Sequence, residues 1–313
     1  MFEKVKYPQR FQGNLSSDKY FEGWYFKQVN TRKKRVISLI PGISLNKEDP
    51  HAFIQVIFSH PMQTHYIRFD VSEFSFSDDP FEVRISKNRF SMSSVHIDVQ
   101  TPDFSLSGNL IFSNLTPIFG NIMGPFAYLP SMQCSHGVLS MSHRVDGLLH
   151  THDEVWEFES ELGYIEKDWG TSFPKHYFWL QSNHFEDPSV SFMASFAHIP
   201  MGILDFEGLI ALFRFEGKEY RFATYNGGKI KDIKKNPDGF SFLLTRKDVS
   251  IHVVAVMDYT VDLAAPVKGK MDHVIKEGLG GHVICTLKRK GLSNLTFTGT
   301  YAGIEWAEYL EKK

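Results

Sequence analysis

The sequence predicts an all-β protein built from two tandem antiparallel β-barrel or sandwich domains. Three observations carry that expectation: period-two hydrophobicity along most of the 313 residues, Gly, Asn and Asp turns at short intervals, and an internal repeat. FEVRIS, NRFSMS, VHIDVQ and FSLSGNLIFS follow one another over residues 81–113, parted by turn-like residues. EYRFATY, KIKDIK, FSFLLT and VSIHVVAVMDYTVDL do the same after residue 218, with NGG and PDG as turns, the pattern of β-meanders. RKKR at 32–35 reads as a hairpin tip between two strands, and HTHDE at 150–154 as a solvated hairpin between VDGLL and VWEF. A short helix is expected only at the C-terminus, where Ile304, Ala307 and Leu310 of GIEWAEYLEKK share a helical face.

The repeat emerges when the halves are offset by about 150 residues. FEGWYFKQV precedes VISLIPGI as HYFWLQSNHF precedes VSFMASFAHIP, and NRFSM stands against DGFSF. FSLSGNLIFSNLTP stands against VSIHVVAVMDYTVDLAAP, and GVLSM against HVICTL. This places an N-terminal domain over 1–172 and a C-terminal domain over 173–313. The 40 residues between Asp103 and Arg144 contain no Asp, Glu, Lys or Arg. Pro117, Pro125, Pro130, Gly120 and Gly124 prevent their centre from being regular structure throughout. That segment reads either as a strand connection plugging a barrel end or as an apolar portal rimmed by Ile118, Phe119, Met123, Phe126 and Tyr128.

Charge argues against nucleic acid, because 34 Lys and Arg face 36 Asp and Glu without a basic stripe. Cys134 and Cys285 are too few for a disulfide framework or a cysteine zinc site, which fits a reducing, cytoplasmic setting. No secretory leader and no apolar run of membrane-spanning length is legible, so any membrane contact is expected to be peripheral, apolar and transient. GxSxG, GxGxxG, HExxH and phosphate-loop motifs are missing, which removes the anchors for hydrolase, dinucleotide, metalloprotease and phosphoryl-transfer readings.

Two aromatic and acidic clusters remain, YFEGWYFK at 20–27 and YIEKDWGTSFPKHYFWLQSN at 164–183. On a strand, Glu22 shares a face with Trp24 and Phe26, and Tyr25 lies on the other. Glu166 and Asp168 also share a face, with Lys167 between them, and like charges that close should raise one of the two acids. An isolated strand glutamate is more often a salt-bridged rim residue, and Trp24, Trp169 and Trp179 taken singly are core anchors. Their clustering at the start of each repeat is what points to chemistry.

These clusters resemble the tocopherol cyclase family, in its shorter bacterial form. The matching pieces are YFEGWYFKQV at 20–29, IPGIS at 40–44, HAFIQV at 51–56, MGPFAYLPSMQCSHGVLSMSH at 123–143 and YIEKDWGTSFPKHYFWLQSNHF at 164–185. The last is the most specific, although Asp168 stands where the plant motif has Asn; beyond it the likeness thins to AAPV at 264–267 and strand order. The resemblance implies a calycin-like pair of lipocalin-like β-barrel domains related to carotenoid hydratase-type proteins, with the clusters at their junction. It also implies protonation of a prenyl alkene and capture of the cation by a phenol oxygen, with no cofactor and no metal.

The expected activity is acid-catalysed intramolecular cyclisation, or related hydratase chemistry, on a prenylated hydroquinone or polyene lipid in an inter-domain cleft. The rival is a non-catalytic protein that binds the same kind of hydrophobic lipid. Glu22, Glu166 and Asp168 are the expected catalytic acids, since burial among aromatics can raise a Glu from about 4.3 to 6 or 7. Trp24, Trp169, Phe178 and Trp179 are expected to stabilise a tertiary cation by about 0.5–2 kcal/mol each. Tyr25, Lys167, His176, Gln181, Phe126 and Tyr128 complete the expected substrate contacts.

Overall fold

The computed structural model describes residues 2–129, 132–201, 204–257 and 259–307. A short helix α1 (Phe2–Lys6) precedes β1 (Tyr20–Asn30), β2 (Arg35–Leu45), β3 (His51–Ser59), β4 (Met62–Phe69), β5 (Phe74–Asp78), β6 (Phe81–Ile85), β7 (Asn88–Ser91), β8 (Ser94–Thr101), β9 (Phe104–Ser113), β10 (Cys134–Thr151) and β11 (Val155–Gly170). There follow β12 (Tyr177–Ser182), β13 (His184–Phe185), β14 (Ser191–Met201), β15 (Leu204–Phe215), β16 (Lys218–Ala223), β17 (Lys229–Asn236), β18 (Gly239–Arg246), β19 (Val249–Val256), β20 (Val261–Val267), β21 (Lys270–Arg289) and β22 (Leu295–Ala307). This is an all-β, lipocalin-like architecture of two large antiparallel sheets.

Both sheets follow one scheme. The first has the order β4-β3-β2-β1-β11-β10-β9-β8-β7-β6-β5, and the second runs β16-β15-β14-β12-β22-β21-β19-β18-β17. In each, the opening strand pairs with the closing strand, and the early strands continue on one side while the meander continues on the other. FEGWYFKQV and HYFWLQSNHF therefore begin equivalent strands, and VISLIPGI with VSFMASFAHIP lie in the next pair. The pairing of NRFSM with DGFSF does not hold: DGFSF opens β18, which adjoins β19 as β8, not β7, adjoins β9.

The chain divides into two compact units, Met1–Phe173 with Ala264–Val274, and Pro174–Leu263 with Ile275–Lys313. The β20–β21 turn is part of the first unit through backbone bonds: Lys268 N donates to Ser172 Oγ (2.7 Å), Ser44 Oγ to Gly269 O (2.6 Å) and Asn46 Nδ2 to Lys268 O (3.1 Å). Each unit has its own apolar core. Trp24, Phe26, Leu39, Ile54, Phe90, Leu110 and Trp156 belong to the first, and Phe178, Phe192, Phe213, Phe242, Val253 and Ile304 to the second.

Alternation explains which faces pack. In β8 every second residue is buried, as expected for a strand with one wet face. β1, β2 and β3 are buried along nearly their whole lengths, so both of their faces are covered. Polar side chains on the face away from the core, among them Lys27, Ser38 and Gln55, are thus dry as well.

The C-terminal segment departs from expectation. Gly303 to Ala307 finish β22 rather than starting a helix, because Ile304 pairs with Leu180 on one side and Gly278 on the other. Two ladders of backbone hydrogen bonds outweigh a three-residue helical spacing; Leu310 lies outside the described residues. The RKKR and HTHDE segments do form hairpin turns, between β1 and β2 and between β10 and β11.

Candidate active site

Register places the two sequence clusters side by side. β1 pairs with β11 so that Glu22 faces Trp169, Gly23 faces Asp168, Trp24 faces Lys167 and Tyr25 faces Glu166. β10 flanks β11 on its other edge, with His136 opposite Asp168 and Val138 opposite Glu166. Because directly paired residues share a sheet face, the clusters separate into two groups. Glu22, Trp24, Lys167 and Trp169 lie on the core face, while Tyr25, Tyr164, Glu166, Asp168 and His136 lie on the opposite one.

The core-face group is already saturated by the protein. Glu22 and Lys167 are fully buried and ion-paired. The Glu22 carboxylate also accepts from Gln12 N (2.9 and 3.0 Å), Gly13 N (3.1 Å) and the Tyr20 hydroxyl. Lys167 Nζ donates to Pro8 O (2.9 Å) and to Arg10 O, and Trp24 Nε1 donates to Gln9 O (2.8 Å). The segment 8–13 is thereby strapped across this end of the unit, with Phe11 buried in its core. Burial pulls the Lys167 ammonium down to about 8, against the attraction of Glu22. That ammonium lies 4.6 Å from the Trp24 ring and 4.9 Å from the Trp169 ring. The ring faces expected to receive a substrate cation are taken by a cation of the chain itself.

The opposite face holds a chain of proton carriers. His136 is buried with Nδ1 2.9 Å from Asp168 Oδ1 and Nε2 3.4 Å from Glu166 Oε2. Burial opposes charge on the ring, but the Asp168 and Glu166 carboxylates outweigh it and hold His136 protonated well above the usual histidine range. The like-charge conflict expected between Glu166 and Asp168 is thus answered by an imidazolium between them. Tyr164 OH donates to Glu166 Oε2 at 2.5 Å, and burial together with that carboxylate pushes the phenol well above its ordinary value. Ser38 Oγ donates to the Tyr25 hydroxyl at 2.9 Å. Donor atoms of His136, Glu166 and Asp168 lie within 4.8 Å of one another, a set that could hold a divalent cation, although the imidazole fills the space between the two carboxylates.

Of the side chains on this face, Tyr25, Glu166 and Asp168 are among those expected from the sequence, and His136, Tyr164 and Ser38 are not. His136 stands inside the quoted 123–143 segment, but 30 residues from Glu166, and only strand register brings them together.

The remaining expected residues are dispersed. Phe178 belongs to the core of the second unit against Phe196, Phe240 and Phe242, whereas Trp179 and Gln181 lie buried on the other face of β12. Phe178 and Trp179 therefore do not present their rings to one ligand. His176 is half-buried, its ring 6.4 Å from His198. Phe126 and Tyr128 lie in a 3-10 turn, Gly124–Tyr128, tied near α1 by Asn121 Nδ2 donating to Val5 O (3.1 Å). In the neighbouring uncharged stretch Ile122 and Met123 turn inward while Phe119 is 86% exposed; Pro130 lies outside the described residues.

The signature described as "Tocopherol cyclase-like" matches residues 120–305, more than half of the chain. The chain belongs to the tocopherol cyclase-like family. The match spans β10 to β22, through the half in which quoted motifs are sparse. A relative from Zea mays described as "Tocopherol cyclase, chloroplastic" is 34% identical over 92 residues, covering 28% of this chain and 19% of that protein. The chain thus aligns with about a fifth of that relative's length. Among solved structures, CghA with Sch210972 is similar with a TM-score of 0.61 at 9% identity, covering 92% of this chain and 88% of that one. Kievitone hydratase from Nectria haematococca is similar with a TM-score of 0.57 at 11% identity, covering 97% and 93%. At those identities the likeness is one of fold. Among the described residues no helix is long and apolar enough to cross a membrane.

Proposed function

We propose that this protein is an acid-catalysed intramolecular cyclase, or a hydratase-type relative, acting on a prenylated hydroquinone or related polyene lipid. The observation that carries the reading is the buried imidazolium of His136 between Glu166 and Asp168, bonded onward to Tyr164. In the forward step a proton passes from the His136–Glu166 pair to the less substituted carbon of a trisubstituted alkene. Loss of that proton leaves two carboxylates facing a tertiary cation, and in a water-poor site this charge complement is the larger contribution. An imidazolium held that tightly is a weak acid, so stabilising the cation has to supply most of the ~8 kcal/mol or more of barrier lowering. The phenol oxygen then attacks, the C–O bond closes the ring, and the phenolic proton returns to the His136–Glu166 pair, restoring the imidazolium. The net change is an isomerisation.

Glu22 and Lys167 do not enter this scheme: their bonds to the strap and to each other give them a positioning role. Tyr25 and Tyr164 place aromatic rings on the acid's own face. Incubation with a phytyl hydroquinone in deuterated water tests the reading by mass spectrometry. A chromanol with one side-chain deuterium is expected, its formation falling at least ~100-fold in His136→Gln and Glu166→Gln. Unchanged quinol that co-elutes with the protein would favour the lipid-binding reading, and neither product nor bound quinol would overturn both.

A further inference from the structure

The wet face of the first sheet carries a row of side chains without an acid. Register sets Arg84 on β6 directly opposite Arg89 on β7, Arg89 opposite His96 on β8, His96 opposite Asn109 on β9, and Asn109 opposite Leu148 on β10. Directly paired residues share a face, so the five side chains form one line across five strands spaced about 4.8 Å apart. Two arginines stand at one end and an apolar side chain at the other. Beyond Leu148 the line reaches Glu157, which is ion-paired with Arg32.

Both ends of the line depart from an ordinary wet sheet face. Like charges directly opposite one another destabilise a strand pair. Arg84 Nε donates to Glu82 and Lys87 is ion-paired with Asp98 at 2.6 Å, whereas Arg89 has no acidic partner among the described residues. Arg84, Ser86, Lys87, Arg89, His96 and Asn109 line an open cleft of about 480 Å³, and no Asp or Glu is among them. On β9 the outward residues are Ser105, Ser107, Asn109, Ile111 and Ser113, and Ile111 alone is apolar, 62% exposed. Leu148 on the adjoining strand is 43% exposed, and the two line a shallow depression that shares Asn109 with the basic cleft. Asp146, opposite Ile111, accepts from Ser160 N at 2.7 Å.

A pair of guanidinium groups matches a phosphate in charge and in its paired donors, and apolar side chains beside it match the region beneath a lipid headgroup. A soluble anion would use the arginines and leave Ile111 and Leu148 in water, so the two ends of the line together favour a lipid surface. We infer that this face docks the protein on an anionic phospholipid bilayer, the Arg84–Arg89 cleft taking a lipid phosphate while Ile111 and Leu148 enter the acyl boundary. The net charge of -2 conceals the row, because acids elsewhere in the chain balance it. The inference deepens the lipid reading proposed above by naming where the lipid is met, but docking does not depend on the reaction.

Vesicle flotation with the intact protein tests it. The protein is expected to bind vesicles of phosphatidylcholine with phosphatidylglycerol more tightly than vesicles of phosphatidylcholine alone, and less tightly as salt is added. Arg84→Glu combined with Arg89→Glu should weaken binding at least about 10-fold. Ile111→Ser combined with Leu148→Ser should weaken it at every salt concentration. Near-UV circular dichroism checks that the fold is retained, and Arg89→Gln, with an expected loss of about 5-fold, keeps the test open should the double reversal fail to fold. Equal binding to both kinds of vesicle, or binding unchanged in either the charge or the apolar variants, overturns the proposal. Absence of vesicle binding overturns it too: saturable binding of inorganic phosphate would then assign the cleft to a free anion, and a dimer lost in Ile111→Ser would assign the face to a second copy of the chain. None of these readouts requires turnover, so missing chromanol formation would end the cyclase reading and leave docking standing, whereas turnover without vesicle binding would do the reverse.

Discussion

Lys167 is a buried cation whose bonds serve the fold: Glu22, two strap carbonyls and two tryptophan rings. Lys167→Met would leave Glu22 buried without its counter-charge, at an expected cost of about 3–5 kcal/mol in urea unfolding. A loss below about 1 kcal/mol would show that the strap is held by other means. His143 behaves in the opposite way to His136. It is 1% exposed against Phe112, both ring nitrogens lack hydrogen-bond partners among the described residues, and burial lowers its pKa to about 3. The unfolded chain, with a histidine near 6.5, therefore binds the extra proton between pH 6.5 and 3. The stability that this neutral histidine contributes is intact above pH 6.5 and declines as the pH falls toward 3, by on the order of 5 kcal/mol. His143→Leu should flatten that acid limb of an unfolding free-energy profile. His136 has the reverse sign: its contribution is full below pH 6.5 and is lost as the pH rises through its raised folded value.

At the scale of elements, the long hairpin of β10 and β11 presents His136, Glu166 and Asp168, and its outer flank depends on close backbone approach to β9. Gly147 has φ +139°, and a Cβ built there would stand 2.1 Å from Asn109 O; Gly108, with φ +147°, meets Leu148 O at the same distance. Gly147→Ala should cost about 2 kcal/mol or more in chemical denaturation, since both the backbone angle and the space reject a side chain. A neutral result would mean that the β9–β10 ladder adjusts freely. Elements of this kind were largely readable from sequence, because period-two alternation and turn residues are local signals. The C-terminal helix expectation fails over residues 303–307 for the complementary reason: Ile304, Ala307 and Leu310 fit a helix locally, but residues 303–307 carry hydrogen-bond ladders to strands that are distant in sequence.

At the scale of the molecule, cutting the chain near residue 173 does not separate independent parts, because Ala264–Val274 completes the first unit. A fragment of residues 1–173 should melt lower than the intact protein and expose apolar surface to a fluorescent probe, since Ser44, Asn46 and Ser172 lose their partners. Adding a peptide of residues 261–275 should recover part of the difference, and a fragment as stable as the intact chain would refute the dependence. Sequence alone determined the all-β class, the repeat, and the fact that Glu166 and Asp168 share a strand face, because each follows from local periodicity. It could not decide that His136 lies between those acids or that Glu22 and Lys167 neutralise one another beneath a strap. Those depend on register between strands far apart along the chain, and a shift of one residue would send each of these side chains to the other face of the sheet.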